Sequence, residues 1–144
     1  MNSNTLSQVI YISHNCIEPA RLDNEVREVL DVSRKRNASA GLTGALMFNE
    51  RCFAQVLEGR CQDLEATFER IQCDLRHDRV VLLEFTAIER RHFENWTMGY
   101  VAEKTAARER FNQLTLDPWF DARRLKAGTL FDLLHAHLTT PLAA

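Results

Sequence analysis

Residues 52–58 constrain the fold more than any other segment, because they are predicted to form a β-strand that is largely apolar on both sides. Successive side chains of a strand point to opposite faces of the sheet. Phe53 and Leu57 share one face, and Ala54 and Val56 share the other. A sheet that is apolar on both faces must be covered on both. Helices of this chain, or a partner, therefore have to cover two faces of one sheet.

The apolar pattern of the chain predicts the order β-α-β-β-α-β, followed by a fifth strand and a helical end. The predicted strands are residues 7–13, 42–48, 52–58, 80–88 and 95–101. A first helix opens at Pro19 and ends near Gly41. A second helix carries an apolar stripe of Leu64, Phe68, Ile71 and Leu75. This order predicts an α+β fold, the ferredoxin-like plait with one added strand.

We expect the first two helices to cover one face of the sheet and the C-terminal helices to cover the other. From Thr105 onward the pattern predicts two short helices, broken near Pro118. The second of these helices carries Leu125, Leu130, Phe131, Leu134 and Leu138. The alternative is that a partner covers the second face.

Composition and charge exclude several classes of protein. The 144 residues include 18 Lys and Arg against 20 Asp and Glu, which predicts one domain with a net charge of −2. This charge disfavours non-specific binding to nucleic acid, and no apolar run approaches the roughly 20 residues of a membrane span. The first residues lack the pattern of a secretory signal peptide. The four cysteines form no C-x-x-C pair, so we expect reduced thiols, a cytoplasmic protein and no metal site.

Two polar side chains fall on apolar faces of predicted strands. Tyr11 shares its face with Val9, and Gln55 lies between Phe53 and Leu57. Burial of an unpaired amide or hydroxyl costs about 1–3 kcal/mol, so both side chains need partners. Either they satisfy each other or the backbone within the core, or both point at a polar ligand between the sheet and the helices.

The other candidate residues are weak signals one by one. Asn37 near a helix end is typical of a cap or turn. Cys73 and His77 are four residues apart and could share a metal ion, but no second ligand pair accompanies them. Trp96 and Met98 alternate on one face of the predicted fifth strand, where they are expected in the core. Because nucleotide-binding and catalytic motifs are absent, the residues favour a ligand-binding or interaction module over an enzyme.

Five blocks of sequence, in order between residues 8 and 101, resemble the BLUF family of flavin-binding blue-light sensors. They are YIS (11–13), SRKRN (33–37) with GLTG (41–44), FAQVLEG (53–59), DLRH (74–77) and WTMG (96–99). Each block is weak by itself, whereas five in this order on the expected elements are specific. The departures are Leu42, where isoleucine is common in the family, and Arg60, where proline is common.

The resemblance implies a flavin, either FAD or FMN, held non-covalently between the first two helices. It implies that Tyr11 is the photochemical electron donor and that Gln55 bonds both to Tyr11 and to the N5/O4 edge of the flavin. Asn37 would bond the pyrimidine edge, and Trp96 and Met98 would relay the signal. The other residues implied around the cofactor are Val29, Ser33, Arg36, Phe53, Ile71, Asp74, Arg76 and His77.

The resemblance also implies how such a protein acts. Light would drive electron and proton transfer from Tyr11, and Gln55 would rearrange by rotation or by tautomerisation. Residues 1–103 would form the flavin-binding domain, and residues 104–144 a helical extension for signalling and oligomerisation. We expect a stand-alone photoreceptor without enzymatic activity, which forms a homo-oligomer or contacts a separate signalling protein. The alternatives are a flavin-dependent redox enzyme and a ferredoxin-like interaction module without a chromophore.

Overall fold

One six-stranded sheet organises residues 2–136 and 138–139, the part of the chain that this computed structural model describes. The strands are β1 (Leu6–Asn15), β2 (Thr43–Phe48), β3 (Cys52–Arg60), β4 (His77–Ala87), β5 (Gly99–Val101) and β6 (Leu138–Thr139). They lie in the order β4-β1-β3-β2-β5-β6. The β2–β5 pair is parallel, and the other neighbouring strands are antiparallel.

Four α-helices of the described residues pack against this sheet. They are α1 (Leu22–Ala40), α2 (Cys61–Gln72), α3 (Ala106–Thr115) and α4 (Ala127–His135). A 3-10 turn at Pro19–Arg21 leads into α1, as the proline predicts. The helix ends at Gly41, whose φ of 68° lies in the left-handed region that glycine adopts without strain. None of the described helices is long and apolar enough to cross a membrane.

The first four strands confirm the ferredoxin-like prediction. Their order is β4-β1-β3-β2, with α1 connecting β1 to β2 and α2 connecting β3 to β4. This is the split βαβ arrangement. The close approach of β2 and β3 depends on Gly44, because a Cβ there would collide with the carbonyl oxygen of Val56.

Helices α1 and α2 cover one face of the sheet, as predicted. Leu30 of α1 and Leu64 of α2 are buried in one core cluster with Phe53 and Leu57 of β3. The apolar stripe of each helix supplies these contacts. Full burial of such side chains stabilises the fold by about 1.5–3 kcal/mol each.

Helices α3 and α4 cover the opposite face, which confirms the second half of the prediction. Phe111 of α3 and Leu130 of α4 are fully buried in a second core cluster. Ala54 and Val56, the alternate residues of β3, belong to the same cluster. Both faces of the sheet are therefore covered by helices of this chain.

The C-terminal segment is less helical than predicted. Two short helices are present, but Leu125 precedes α4 and Leu138 lies in β6, which pairs with β5. The chain leaves the helical conformation at Ala136, whose backbone is extended. Residue 137 and residues 140–144 of the predicted extension lie outside the described residues.

The fifth strand is also shorter than predicted, and this separates Trp96 from Met98. The ladder with β2 begins only where Ala45 lies opposite Gly99. Before that the chain turns, and the backbone N–H of Trp96 donates to the carbonyl oxygen of Phe93. Met98 is buried in the α1/α2 cluster, whereas Trp96 packs against the α3/α4 cluster. The prediction that both share one face is wrong, because the alternation of a strand does not apply to this turn.

The sequence pattern places Leu75 on the apolar stripe of the second helix, and this prediction is wrong. The helix ends before it, and the side chain is 93% exposed. The carboxylate of Asp74 accepts the backbone N–H of Arg76 at 2.9 Å. Such a turn competes with continued helix, and β4 begins directly afterwards at His77.

A buried carboxylate holds the loop between β4 and β5 against the sheet. Glu58 is fully buried and accepts the backbone N–H groups of His92 at 2.7 Å and Phe93 at 2.9 Å. The hydroxyl of Thr43 donates to the same carboxylate at 3.1 Å. These three hydrogen bonds to one buried side chain position the loop that leads into β5.

Candidate functional site

A cleft with a cavity volume of about 130 Å³ opens between α1 and α2 on one face of the sheet. The cleft is lined by Tyr11, Leu46, Phe53, Gln55 and Leu57 of the sheet, by Val29, Val32, Ser33, Arg36 and Asn37 of α1, and by Thr67, Arg70, Ile71, Asp74, Arg76 and His77 of α2 and the chain after it. The structure thus brings together Tyr11 and every residue that the resemblance implies around a cofactor.

Tyr11 and Gln55 lie opposite each other on β1 and β3. The tyrosine hydroxyl donates to Oε1 of Gln55 at 2.5 Å, and both residues are only 4% exposed. Burial, together with the negative charge of Asp74, raises the pKa of Tyr11 far above its ordinary value, so the phenol keeps its proton. The two polar side chains therefore satisfy each other while they also line the cleft.

The amide nitrogen of Gln55 has only a poor partner. Nε2 lies 3.4 Å from Sδ of Met98. A thioether sulfur is a weak acceptor, and an amide nitrogen carries two N–H donors. Gln55 therefore keeps donor capacity for a polar ligand in the cleft.

Asn37 joins α1 to the segment before β5. Its buried Nδ2 donates to the carbonyl oxygen of Thr97 at 2.6 Å. The backbone carbonyl of Asn37 accepts the N–H groups of Gly41 and Leu42, so the end of the helix is capped by backbone groups. The Oδ1 atom accepts no hydrogen bond from the described residues, which leaves an acceptor at the cleft.

His77 is held by two hydrogen bonds at the start of β4. Nε2 lies 2.6 Å from the carbonyl oxygen of Ile71, and Nδ1 lies 2.7 Å from Oγ of Ser13. Because a carbonyl only accepts, Nε2 carries a proton, and in the neutral ring Nδ1 accepts from the serine. These two hydrogen bonds fix the orientation of the imidazole ring. Both ring nitrogens of His77 are therefore occupied by hydrogen bonds. Cys73 is exposed to solvent.

The outer part of the cleft is cationic. The guanidinium of Arg76 forms a two-pronged pair with the carboxylate of Asp74, with Nη2 and Oδ2 2.9 Å apart. Although burial acts in the opposite direction, the hydrogen bonds and charge of Arg76 hold the pKa of Asp74 below its ordinary value. Arg36 and Arg70 are exposed and form no ion pair among the described residues. Guanidinium groups of this kind suit phosphate.

Sequence reasoning misses five residues of the cleft: Val32, Leu46, Leu57, Thr67 and Arg70. Val32 and Thr67 each precede a predicted site residue by four positions within α1 or α2, as Val32 precedes Arg36. Residues four apart share one face of a helix, so helical spacing is the signal that could have found them. Both leucines lie beside Gln55: Leu46 is opposite it on β2, and Leu57 follows two positions later on β3.

Trp96 and Met98 do not line the cleft. Met98 reaches Gln55 through its sulfur, and its carbonyl oxygen accepts Nε of Arg34 at 3.1 Å. Trp96 packs on the other face of the sheet. The three-residue segment 96–98 therefore touches both faces within a short length of chain.

Comparisons with known proteins point to one family. A family model described as sensors of blue-light using FAD, BLUF, matches residues 6–99. The photoactivated adenylate cyclase subunit alpha of Euglena gracilis is 31% identical over 94 residues, which are 65% of this chain and 9% of that protein. The blue light- and temperature-regulated antirepressor BluF of Escherichia coli K12 is 33% identical over 79 residues, which are 54% of this chain and 19% of that protein. The chain therefore spans only a small part of the length of these relatives.

Solved structures show the same fold. BlsA in its photo-activated state has a TM-score of 0.78 at 27% identity, covering 96% of this chain and 99% of that one. The dark-state structure of BlrB, a BLUF protein, has a TM-score of 0.72 at 26% identity, covering 93% and 95% of the two chains. At these coverages the likeness extends beyond residue 99 into the C-terminal helices.

Proposed function

Because the chain belongs to the BLUF family of blue-light sensors that use FAD, we propose that its cleft binds a flavin non-covalently and that light changes the hydrogen bonds of Tyr11 and Gln55. One observation carries this proposal. The two side chains form a 2.5 Å hydrogen bond within the cleft, while the amide nitrogen of Gln55 meets only the sulfur of Met98. Such a pair can exchange its partners without breaking a covalent bond.

The residues of the cleft fit a flavin nucleotide. Val29 and Ile71 supply apolar walls for a flat ring, and Asn37 and Gln55 supply an acceptor and a donor for its polar edge. The exposed arginines at the mouth, such as Arg70, suit the phosphate of the nucleotide. FAD is the proposed cofactor, and FMN is the alternative.

A bound flavin supplies the absorption of blue light and an electron-accepting excited state. Tyr11 supplies the electron, and its hydroxyl proton moves along the hydrogen bond to Oε1 of Gln55. Because burial raises the pKa of Tyr11, its hydroxyl proton is on this residue before illumination. When they return, Gln55 remains in a rearranged state, either rotated or tautomerised.

The signal leaves the cleft through segment 96–98. Rotation of the Gln55 amide would place its oxygen beside the sulfur of Met98, and two acceptors repel each other. Asn37 holds the same segment through the carbonyl oxygen of Thr97. Trp96, in the same segment, packs against the cluster under α3 and α4. A shift of the segment would therefore change the packing of the C-terminal helices. A local switch of this kind must bias a two-state element.

The output passes through residues 104–144 to a separate signalling protein or to a second copy of the chain, and the protein itself is not an enzyme. Trp119 is 91% exposed, and Leu116, three positions earlier in the chain, is 41% exposed. Exposed apolar groups of this size suit a protein partner.

The cysteines of the described residues are free, which suits a reducing cytoplasm. Neither nucleic acid nor a membrane is the proposed partner.

The test is an absorbance spectrum of the purified protein before and after blue light, with the flavin identified after denaturation. We expect a yellow protein that releases FAD, and a flavin band that shifts reversibly to longer wavelength under light. Release of FMN would change the cofactor assignment alone. A colourless protein that takes up no flavin would overturn the proposal, and turnover of NAD(P)H would favour a redox enzyme instead.

A further inference from the structure

Three side chains with metal-binding atoms meet outside the cleft, where β1 ends and β4 begins. Nδ1 of His14 lies 2.9 Å from Oδ1 of Asp78 and 3.7 Å from Sγ of Cys16. All three donor atoms lie within 4.8 Å of one another. None of the three residues lines the cleft. Their spacing in the chain hides them, because His14 and Asp78 are 64 positions apart.

A β-bulge creates this arrangement. Ile12 pairs with Val81, and continuing that register would place Arg79 opposite His14. The register shifts by one residue at this point, and Asp78 lies opposite His14 instead. The register shift is accommodated at Arg79, whose φ of 48° lies in the left-handed region that is uncommon outside glycine. Bulges often redirect a side chain next to a functional site. This bulge places the carboxylate of Asp78, rather than the guanidinium of Arg79, opposite His14.

We propose that His14, Cys16 and Asp78 bind a divalent transition-metal ion such as Zn²⁺. Zinc bonds to nitrogen, oxygen and sulfur are about 2.0–2.3 Å long, so tetrahedral ligands lie about 3.3–3.8 Å apart. The Cys16–His14 distance already matches, and the shorter His14–Asp78 distance opens when the metal replaces the hydrogen bond. The side chains of His14 and Asp78 are 39% and 55% exposed, so water can fill the fourth position.

The charges of the cluster match a divalent cation. A free cysteine thiol carries its proton at neutral pH, whereas a metal ion binds the thiolate. Binding forms the metal–sulfur bond and releases that proton to solvent. The resulting thiolate and the Asp78 carboxylate together carry two negative charges. Arg79, now 3.8 Å from the carboxylate, is largely exposed and free to turn away.

The test is calorimetric titration of Zn²⁺ into the full-length, flavin-loaded protein after removal of metals by a chelator. We expect one ion per chain and release of about one proton, measured in two buffers of different ionisation enthalpy. Cys16→Ser and Asp78→Asn should each weaken binding at least about tenfold, or about 1.4 kcal/mol. Cys73→Ser is the matched control, since this cysteine is also exposed and lies outside the cluster.

A second measurement uses the reactivity of the thiols and does not depend on any variant. Zn²⁺ should protect Cys16 from a thiol reagent, as identified by mass spectrometry, while Cys73 continues to react. The absence of saturable binding would overturn the proposal. Binding that survives either cluster substitution unchanged, or that is lost in Cys73→Ser, would overturn it equally.

Discussion

The two faces of the sheet are built from the same strands but differ in polarity, and this separates ligand binding from stability. In β3, Gln55 points into the cleft under α1 and α2, while its neighbours Ala54 and Val56 point under α3 and α4. The second face is filled by side chains such as Phe111. One strand therefore carries a polar side chain of the site on one face and closely packed apolar side chains on the other.

The largest effect is expected from a cavity on the filled face. Phe111→Ala should lower the free energy of unfolding by about 3–5 kcal/mol, because a fully buried ring is removed. Urea unfolding measures this change, and the flavin content of the folded fraction should stay the same. The matched substitution on the cleft face is Val32→Ala, which removes a partly exposed wall residue. It should weaken flavin binding with little loss of stability, and the reverse pattern would contradict the comparison.

Gln55→Leu should affect both function and stability. The buried hydroxyl of Tyr11 loses its acceptor, which costs about 1–3 kcal/mol. We expect the flavin to bind without a light-induced shift of its absorbance band. Gln8→Leu is the control on the other side of β1, since its buried amide contacts Glu58 rather than the cleft. A normal light response in Gln55→Leu would show that the amide is not part of the switch.

Arg70→Gln tests the cationic mouth of the cleft. Loss of one phosphate partner should weaken flavin binding about tenfold, or about 1.4 kcal/mol, and reduce its salt dependence. Titration of the flavin-free protein with FAD, followed by fluorescence, measures the affinity. Arg110→Gln removes an exposed arginine from α3 on the opposite face and should leave the affinity unchanged. Equal effects of the two substitutions would remove the distinction between the faces.

The smallest effect concerns Asp74. Its pKa lies below the ordinary value of 3.8, mainly through Arg76 acting against burial. Because its pKa is depressed in the folded state, the Asp74 carboxylate stabilises the fold at pH values above its unfolded-state pKa. This contribution is lost as the pH falls through the folded-state pKa. In an NMR titration, Arg76→Gln should return the pKa of Asp74 toward 3.8, whereas Arg124→Gln should not move it. An unchanged titration in Arg76→Gln would contradict the assigned cause.

The fold and much of the cleft follow from local patterns in the sequence. Alternation within β3 predicts two covered faces, and helical spacing predicts α1 and α2. Tyr11 and Gln55 stand out because polar groups on apolar faces need partners. The five sequence blocks add further cleft residues, such as Asn37 and His77, through their resemblance to a family. These features depend on residues that are close in the chain, or on patterns that repeat with a known period.

The features that local patterns miss depend on long-range pairing. Trp96 and Met98 separate because β5 begins later than its apolar pattern predicts. Glu58 looks like the polar end of a strand, yet it is buried because a distant loop donates two N–H groups to it. The His14–Asp78 contact depends on a shift in strand register, for which the sequence contains no periodic signal.

The central claim is that the hydrogen bond from Tyr11 to Gln55 is the light-sensitive element, and Tyr11→Phe tests it most directly. The substitution removes only the hydroxyl, so the ring still packs against Phe68 and the cleft keeps its shape. Absorbance spectra before and after blue light are compared between the variant and the parent protein at equal flavin content. The account predicts that the variant binds flavin but shows no reversible shift to longer wavelength. A normal shift in the variant would contradict it.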